Sequence, residues 1–372
     1  MRHDRIGSFD TLRGLAALAV CLLHSTPVFG FHAFMSHAYL VVDFFFCLSG
    51  YILVERYRDP ISGQGTARGL SFRRFSVIRL ARLYPLYAVA LILGAVYTVI
   101  RLATTAKLSG NVGLVETSLT AAVFVLPYFH TGVLHSANAA FPYVTQSWSL
   151  FWELIASGLF YYWARSGKNS AVVACMAVGF VAVVLLAVPQ NTLDGGWQTF
   201  NFWLGGARAL FSFSTGILIA NLAVIKRLKA GANSGPMLNA AGYLAFGLAA
   251  LYIVSDVAAN IWVEVIIAAL AFPLVIVTFS DAKNVFVNNP IGSWLGEISY
   301  SVYLLHGTIV ILLLTFISKS HSIHASALTG TLCVASILVV STFVRQWIEL
   351  PAQNWLKGQM KVRTKAVAAA AE

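Results

Sequence analysis

Two residues of the first long apolar stretch, Arg13 and His24, could carry chemistry inside a membrane. They are eleven residues apart, so at about 100° per residue they return to one face of a helix, separated by a rise of roughly 16 Å. An imidazole accepts protons near neutral pH, and a guanidinium binds anions. The plainer alternative is that Arg13 anchors the helix at the membrane interface and His24 hydrogen-bonds to a neighbouring helix.

Four further ionisable side chains, Asp43, Glu153, Arg208 and His306, fall within apolar stretches. A charge at mid-bilayer costs about 2.5–3.5 kcal/mol on insertion scales, so such residues usually face a cavity or a partner. At similar inferred depths they could share one polar centre with His24, in which Asp43 or Glu153 orients the imidazole. Asp43 could equally pair with Arg208, and the residues could instead form separate bridges between helices.

A dense basic segment precedes the third apolar stretch, where Arg73, Arg74, Arg79 and Arg82 fall within ten residues. Guanidinium groups suit phosphate because their planar forks bind two oxygens at once. The segment is therefore a candidate docking site for a phosphorylated ligand. Ordinary basic charge at a cytoplasmic membrane surface, in contact with lipid headgroups, is the competing interpretation.

The elements that must position these residues are transmembrane helices. The 372 residues are 58% apolar and only 10% charged, whereas soluble domains carry about 25% charged residues. Apolar windows near the length that spans a bilayer lie at 11–30, 38–55, 83–100, 147–164, 170–188, 201–224, 237–255, 259–280, 298–317 and 327–347. The sequence predicts an all-α integral membrane protein with about ten transmembrane helices. The shorter segment Ser118–Phe129 is predicted to be re-entrant or interfacial.

Lys and Arg concentrate in alternate connections, at 56–82, 165–168, 226–229 and 283 and again after 345. The positive-inside rule places these connections and both termini in the cytoplasm. Counting 118–129 as a span would reverse every later helix and move most of these charges outward. We expect a transmembrane domain over 1–350 and a basic cytoplasmic tail over 351–372.

Other function classes lack support in the sequence. The net charge of +11 is explained by basic residues at cytoplasmic helix ends, so we expect no nucleic-acid partner. The motifs of P-loop ATPases, zinc proteases and serine esterases, G-x-x-x-x-G-K-[ST], H-E-x-x-H and G-x-S-x-G, are absent. The four cysteines lie in apolar runs, where they act as small hydrophobes, and no metal is expected.

Several stretches, taken in order, resemble the acyltransferase 3 family, bacterial inner-membrane enzymes that acylate cell-surface and exported carbohydrates. The motifs are Phe9-Asp10-Thr11-Leu12-Arg13-Gly14 leading to His24, Val42-Asp43-Phe44-Phe45-Phe46 with Ser49-Gly50-Tyr51, Arg79-Leu80-Ala81-Arg82-Leu83-Tyr84-Pro85, Ser147-Trp148-Ser149-Leu150 through Glu153, Gly296-Glu297-Ile298-Ser299-Tyr300 through His306, and Ile348-Glu349-Leu350-Pro351. The chain departs from the family at Leu154, where a second acid is frequent, and at Tyr51, where Phe is frequent. No SGNH hydrolase-like domain is expected, so the chain resembles the standalone form.

The resemblance implies transfer of an acyl group, most commonly acetyl, from cytoplasmic acyl-CoA across the inner membrane to a hydroxyl of an exported or cell-surface glycan. The partners it implies are acyl-CoA, a carbohydrate acceptor and the lipid bilayer. In the resemblance, Arg13 and His24 match an essential family motif, and Arg79 and Arg82 match a conserved arginine pair. Together with the reasoning from buried charges, we expect His24, Asp43 and Glu153 to be catalytic and Arg13, Arg74, Arg79 and Arg82 to bind the donor. Further buried polar residues are Arg208, Tyr300 and His306. His24 could act as a general base or carry the acyl group itself.

A multi-pass secondary transporter is the alternative function, because intramembrane His, Asp, Glu and Arg also relay protons and bind ionic substrates. The ordered family motifs and a basic segment on one side only favour the enzyme. Internal inverted repeats, which are typical of many transporters, are not visible in the sequence.

Overall fold

The computed structural model describes residues 7–30, 35–63, 69–130, 134, 138–222, 234–280, 289–319, 324–356 and 358. Eleven helices occupy most of these residues. They are α1 (Gly7–Phe29), α2 (Val41–Ser62), α3 (Phe72–Thr104), α4 (Val112–Val123), α5 (Ser147–Ser166), α6 (Asn169–Ala187), α7 (Phe202–Asn221), α8 (Ser234–Val254), α9 (Ile261–Phe279), α10 (Pro290–Lys319) and α11 (Ala327–Leu356). Among the described residues the only β-type pairing is an isolated bridge between Ala139 and Gln198. The predicted all-α architecture is confirmed.

Nine helices within the described ranges are long and apolar enough to cross a membrane. The one remaining predicted span, at 147–164, corresponds to α5. This helix has 20 residues but is less apolar than the nine others, because it carries Ser147, Ser149, Glu153 and Ser157. These are the polar groups that α5 turns toward the interior of the bundle. The chain is therefore a multi-pass membrane protein, and α5 contributes polar residues to the site described below.

The helix ends gather in two groups, as the alternation of basic connections predicts. At one end, Asn221 at the end of α7 contacts Arg58 of α2 and Asn169 of α6 through hydrogen bonds of 2.6 and 2.5 Å. We call this basic end the inner end, since the positive-inside rule places it at the cytoplasm, and the opposite end the outer end. Residues 226–229 and 283, which also supported this orientation, lie outside the described residues.

The helix α4 contains part of the segment 118–129 that was predicted to be re-entrant or interfacial, and it begins six residues before that segment. It starts beyond the outer end of α3 and runs back along that helix for roughly 18 Å. Its last residues accept hydrogen bonds from α3, where Tyr87 donates to Ala122 O (2.6 Å) and Tyr84 to Val123 O (2.9 Å). The chain then returns to the outer end, where the backbone of Ala140 pairs with that of Trp197.

The parallel pair α1 and α10 is the most extensive helix contact of the bundle. The two helices approach closely because Gly14 of α1 faces Leu295, and Gly292 and Gly296 of α10 face Thr11 and Asp10. A side chain at any of these glycines would collide with the facing helix. Small residues at such spacing are typical of close helix pairs in membranes. This contact fixes the depth of α1, which carries both Arg13 and His24, against α10.

Burial separates central helices from peripheral ones. α2 and α7 bury most of their apolar residues against other helices, whereas α6 and α8 leave most of theirs exposed at the surface of the bundle. An all-round apolar helix at the periphery is stable only where lipid covers it. The last helix, α11, continues beyond the predicted domain boundary at 350 to Leu356. Residues 359–372 of the predicted tail lie outside the described residues.

Candidate active site

A cavity of about 640 Å³ lies at the outer end of the bundle, between α1, α3, α10 and the segments that precede α5 and α7. Its volume is within the range of sites that hold small molecules. The polar and aromatic side chains that line it include His24, Arg101, Gln146, Trp148, Asp194, Trp197, Arg208 and Tyr303. Of the residues predicted for the site, this cavity therefore contains His24 and Arg208.

The imidazole of His24 has a defined tautomer. Its Nδ1 lies 2.9 Å from the carbonyl oxygen of Val20 on the preceding turn, and because a carbonyl only accepts, Nδ1 must carry the hydrogen. Nε2 is then left with its lone pair, and it has no hydrogen-bond partner within the described part of the chain. His24 is also accessible from the cavity. Nε2 can accept a proton from a hydroxyl there or attack an acyl carbonyl.

A second histidine, His306 of α10, packs against His24, with ring centroids 4.9 Å apart. Its Nδ1 donates to Val302 O (3.0 Å), and its Nε2 lies 3.3 Å from Nε2 of Gln146, whose amide hydrogen it accepts. His306 is completely buried and both of its nitrogens have partners. It therefore holds the ring of His24 by packing and the amide of Gln146 by a hydrogen bond. A substrate in the cavity cannot reach it.

Asp43 pairs with Arg208, which is one of the two partners that the sequence left open. Nη2 of Arg208 lies 2.7 Å from Oδ2 of Asp43, and Nε lies 3.3 and 3.2 Å from the two carboxylate oxygens. The guanidinium also donates to Gly195 O (2.8 Å) and Tyr39 O (2.9 Å). Both members of the ion pair are almost completely buried. The pair joins α2 to α7 and the segment before it, and no hydrogen bond between Asp43 and His24 occurs among the described residues.

Glu153 pairs with a different arginine at a different depth. Nη2 of Arg79 lies 2.6 Å from Oε1 of Glu153, which also accepts a hydrogen bond of 3.2 Å from Ser49. Ser49 is six residues further along α2 than Asp43, which corresponds to roughly 9 Å toward the inner end. Glu153 thus lies roughly 9 Å further toward the inner end than Asp43 does.

The prediction of one shared polar centre at a common depth is wrong. The residues form three separate contacts between helices, His24 with His306, Asp43 with Arg208, and Glu153 with Arg79. The physical reason is that a buried charge is tolerated only with a close, well-oriented opposite charge, and each carboxylate finds a guanidinium on an adjacent helix. Catalytic roles for Asp43 and Glu153 stay predictions.

An inner arginine cluster, formed by Arg13, Arg56, Arg79 and Arg82, converges near the inner end of the bundle. Arg82 interacts electrostatically with the other three and with Glu153. It lies deep among the helices, yet its side chain is solvent-accessible. Repulsion between cations at this depth is reduced because Arg13 also pairs with Asp10 at 3.3 Å and Arg79 with Glu153 at 2.6 Å. The cluster can hold phosphate.

The basic segment differs from its predicted form in one respect. Arg73, Arg74, Arg79 and Arg82 do not lie in a connection but on the first turns of α3 itself, which begins at Phe72. Of these, Arg79 and Arg82 point into the cluster, whereas Arg74 is exposed on the first turn and makes no side-chain ion pair within the described ranges. Arg56 is a member that the sequence analysis did not single out.

Two hydrogen bonds and one electrostatic interaction connect α10 to α5 and to Gln146, the residue immediately before α5. From the outer to the inner end they join Gln146 to His306 (3.3 Å), Ser149 to Tyr303 (2.8 Å) and, by electrostatic interaction, Glu153 to Tyr300. The predicted polar residue Tyr300 also donates to Leu83 O of α3 at 2.8 Å. Because successive contacts are about one helical turn apart, they mark a polar seam from the inner arginine cluster to the cavity with His24.

Asp194 is a cavity residue that the sequence analysis missed. It lies in the outer segment between α6 and α7, is exposed, and interacts electrostatically with His24 and Arg208. A carboxylate in a polar connection is not unusual in the sequence, because placing it there costs no burial of charge. Only the two neighbouring glycines indicated an unusual backbone conformation in this segment. Among the described residues, no group of three or more His, Cys, Asp or Glu is placed to hold a metal ion.

Comparison with known proteins identifies the family. Residues 6–345 match the family model described as acyltransferase domain, acyltransferase 3. A curated relative, protein 2 in the picA locus of Rhizobium radiobacter, is 32% identical over 191 residues, which cover 50% of this chain and 95% of that protein. No solved structure matches significantly. The family match favours the enzyme over the transporter. The chain therefore belongs to the acyltransferase 3 family and is a multi-pass membrane O-acyltransferase.

Proposed function

We propose that this protein transfers an acyl group from cytoplasmic acyl-CoA to a hydroxyl of an exported or cell-surface glycan, in the bacterial inner membrane. The observation that carries the proposal is His24, which lines the outer cavity and whose Nε2 carries the lone pair of the neutral ring. An imidazole in this state is a suitable base for a hydroxyl. Acetyl is the donor group that the family resemblance implies first.

The inner arginine cluster is the proposed site for the phosphates of CoA. The buried Nε of Arg79 has no hydrogen-bond partner among the described residues, although a buried donor without a partner is costly. Arg82 is accessible beside it. A phosphate oxygen between these two guanidinium groups would accept a hydrogen bond from each. The residues present therefore fit the phosphates of an acyl-CoA.

The donor and acceptor sites lie in different halves of the bundle. On α1 alone, Arg13 and His24 are separated by a rise of roughly 16 Å. The extended arm that carries the acyl thioester would follow the polar seam between α5 and α10 from the arginine cluster toward His24. The hydrogen bond between Ser149 and Tyr303 lies in this path, and we infer that it opens when the arm enters.

The chemical step needs one base and no further reagent. The acceptor hydroxyl gives its proton to Nε2 of His24 as its oxygen attacks the thioester carbonyl carbon. The carbon–sulfur bond then breaks, and the imidazolium returns the proton to the departing sulfur, so the products are the O-acyl glycan and CoA thiol. If His24 instead carries the acyl group, the same nitrogen is used. Intact mass of protein quenched after mixing with acyl-CoA alone distinguishes the two, because only the second route leaves an acyl adduct.

The test is transfer by purified protein in liposomes. Labelled acetyl-CoA is supplied at the face that exposes Arg82, and polysaccharide from a strain that lacks the enzyme is supplied at the opposite face. We expect label in the polysaccharide and free CoA thiol in equal amounts. Uptake of label without any acylated product would contradict the proposal and support transport.

Removing Arg82 should weaken donor binding specifically. We expect Arg82→Ala to raise the KM for acyl-CoA by about tenfold or more, the order that loss of a charge-assisted hydrogen bond produces, with little change in the KM for the acceptor. Steady-state kinetics in both substrates measure this. Arg165→Ala, which removes an exposed arginine at the inner end of α5, is the control.

Arg74→Ala tests the remaining member of the predicted patch, and its exposed place on α3 predicts a smaller effect on donor KM than Arg82→Ala has. An unchanged donor KM in Arg82→Ala would show that the arginine cluster does not bind the donor.

A further inference from the structure

We propose that Asp194 is the acceptor-binding carboxylate of the outer cavity and that it selects a sugar without negative charge, neutral or amino, over an acidic sugar. The inference rests on the proposed function and adds to it the charge class of the acceptor.

A fully buried carboxylate, Glu264 of α9, holds the segment from one side. Its Oε2 accepts the backbone N–H of Leu193 at 2.5 Å and the hydroxyl of Thr192 at 3.2 Å. Its Oε1 accepts the hydroxyl of Tyr39 at 2.5 Å. Glu264 has no exposed surface, and both of its carboxylate oxygens accept hydrogen bonds from other residues of the chain. The two residues immediately before Asp194 are therefore fixed to α9.

The residues after Asp194 are fixed as well. Gly195 O accepts a hydrogen bond from the buried Arg208 at 2.8 Å. The side chain of Asn201 accepts the backbone N–H of Gly196 at 3.0 Å and that of Gln198 at 3.1 Å. Gly196 has φ +106° and packs its backbone against α7, a place where no side chain fits. The backbone is thus anchored on both sides of one exposed residue.

The carboxylate of Asp194 itself is not used for this anchoring. It is exposed, lines the cavity with His24, and has no hydrogen-bond partner for its side-chain oxygens within the described part of the chain. It is close enough to His24 to interact electrostatically. An ionised carboxylate only accepts hydrogen bonds, so a ligand here must present donors.

The hydroxyl groups of a sugar are such donors. Two of them can bind the two oxygens of one carboxylate, and these charge-assisted bonds are stronger than neutral ones. Trp197, on the same segment, also lines the cavity and offers an apolar ring against which the carbon face of a sugar can pack. An acidic sugar would instead bring a second negative charge close to Asp194, and the two like charges repel each other.

Of the two arginines that line the cavity, Arg208 is neutralised by an anionic partner, Asp43, whereas Arg101 is held by the neutral carbonyl oxygen of Leu134 and keeps its charge. Asp194 serves the reaction in a second way, because its charge stabilises the imidazolium that forms when His24 takes the proton of the hydroxyl.

The test compares acceptors that share a ring and differ in charge. Protein in liposomes is given labelled acetyl-CoA with the methyl glycoside of glucose, of glucosamine or of glucuronic acid. We expect the wild type to acylate the first two at least tenfold more efficiently than the third. In Asp194→Asn, which keeps the shape and removes the charge, we expect the acceptor KM for the glucoside to rise about tenfold, as for the loss of a hydrogen bond to a charged group. The discrimination against the glucuronide should disappear, and the KM for acetyl-CoA should be unchanged.

Asp256→Asn is the matched control, because Asp256 is an exposed carboxylate of the outer end that does not line the cavity. Thermal unfolding of both variants checks that neither has lost its fold. If wild type and Asp194→Asn show the same acceptor KM and the same charge preference, or if the wild type prefers the glucuronide, the inference is wrong while the proposed function stands. If the wild type neither cleaves the thioester nor acylates any of the three glycosides, the proposed function itself fails.

Discussion

Replacement of His24 by alanine is expected to lower the rate of acyl transfer by about 10²–10⁴-fold, the range that a positioned general base contributes. The reason is that Nε2 of His24 is the ring nitrogen in the cavity with a free lone pair, since its Nδ1 is bound to Val20 O. His24→Gln retains polarity and approximate size but has no basic nitrogen, so it should be equally inactive. The measurement is single-turnover transfer from labelled acyl-CoA to glycan.

Two controls accompany this prediction. His324→Ala removes an exposed histidine just before α11 that does not line the cavity, and it should retain full activity. Binding of acyl-CoA to His24→Ala should remain, because the arginine cluster is intact. Transfer by His24→Ala at a rate within a few-fold of the wild type would exclude His24 from the mechanism.

Breaking the ion pair between Asp43 and Arg208 is expected to cause the largest loss of stability of any single substitution considered. Removal of one partner leaves an uncompensated buried charge, which costs about 3–5 kcal/mol. Asp43→Leu and Arg208→Met should each show such a loss, measured as the free energy of unfolding in detergent. The double variant has no unpaired charge and should recover a substantial part of it.

The same series separates a stabilising role of Asp43 from a catalytic one. Arg58→Met, which removes an exposed guanidinium bound to Asn221, should change the free energy of unfolding by only about 0.5 kcal/mol or less. Losses of that small size in both buried single variants would contradict the assignment of a structural pair. A double variant that is stable but transfers no acyl group would indicate that Asp43 or Arg208 also acts in the reaction.

The membrane spans were predictable because their signal is local. A run of about 20 apolar residues specifies a spanning helix without reference to the rest of the chain, and the basic connections specify its direction. The short length of the segment near Ser118 indicated, for the same reason, a re-entrant or interfacial segment, and this stays a prediction. Helix ends were less predictable, since α3 extends eleven residues before its apolar window and carries Arg79 and Arg82 on its first turns.

Which buried charges would meet was not predictable from spacing alone. The depth of Glu153 depends on where α5 begins relative to the membrane, and its partner depends on the rotation of α3, and both are set by packing between helices. The cost of burying a charge indicated that Asp43, Glu153, Arg208 and His306 need a partner or a cavity. It did not indicate which of them pair with each other. Asp194 lay beyond this reasoning altogether, because an acidic residue in a polar connection is unremarkable until the cavity beside it is known.

The double anchoring of the outer segment has a consequence for how acceptor preference can change between relatives. Glu264 and Arg208 hold the backbone on either side of position 194 through contacts that do not involve the side chain there. Substitutions at Asp194 and Trp197 can therefore alter which sugar is accepted while the surrounding scaffold, the base His24 and the donor site keep their places. Divergence in acceptor use should accordingly concentrate at these two positions, and exchanging them between relatives should exchange preference without rebuilding the helix bundle.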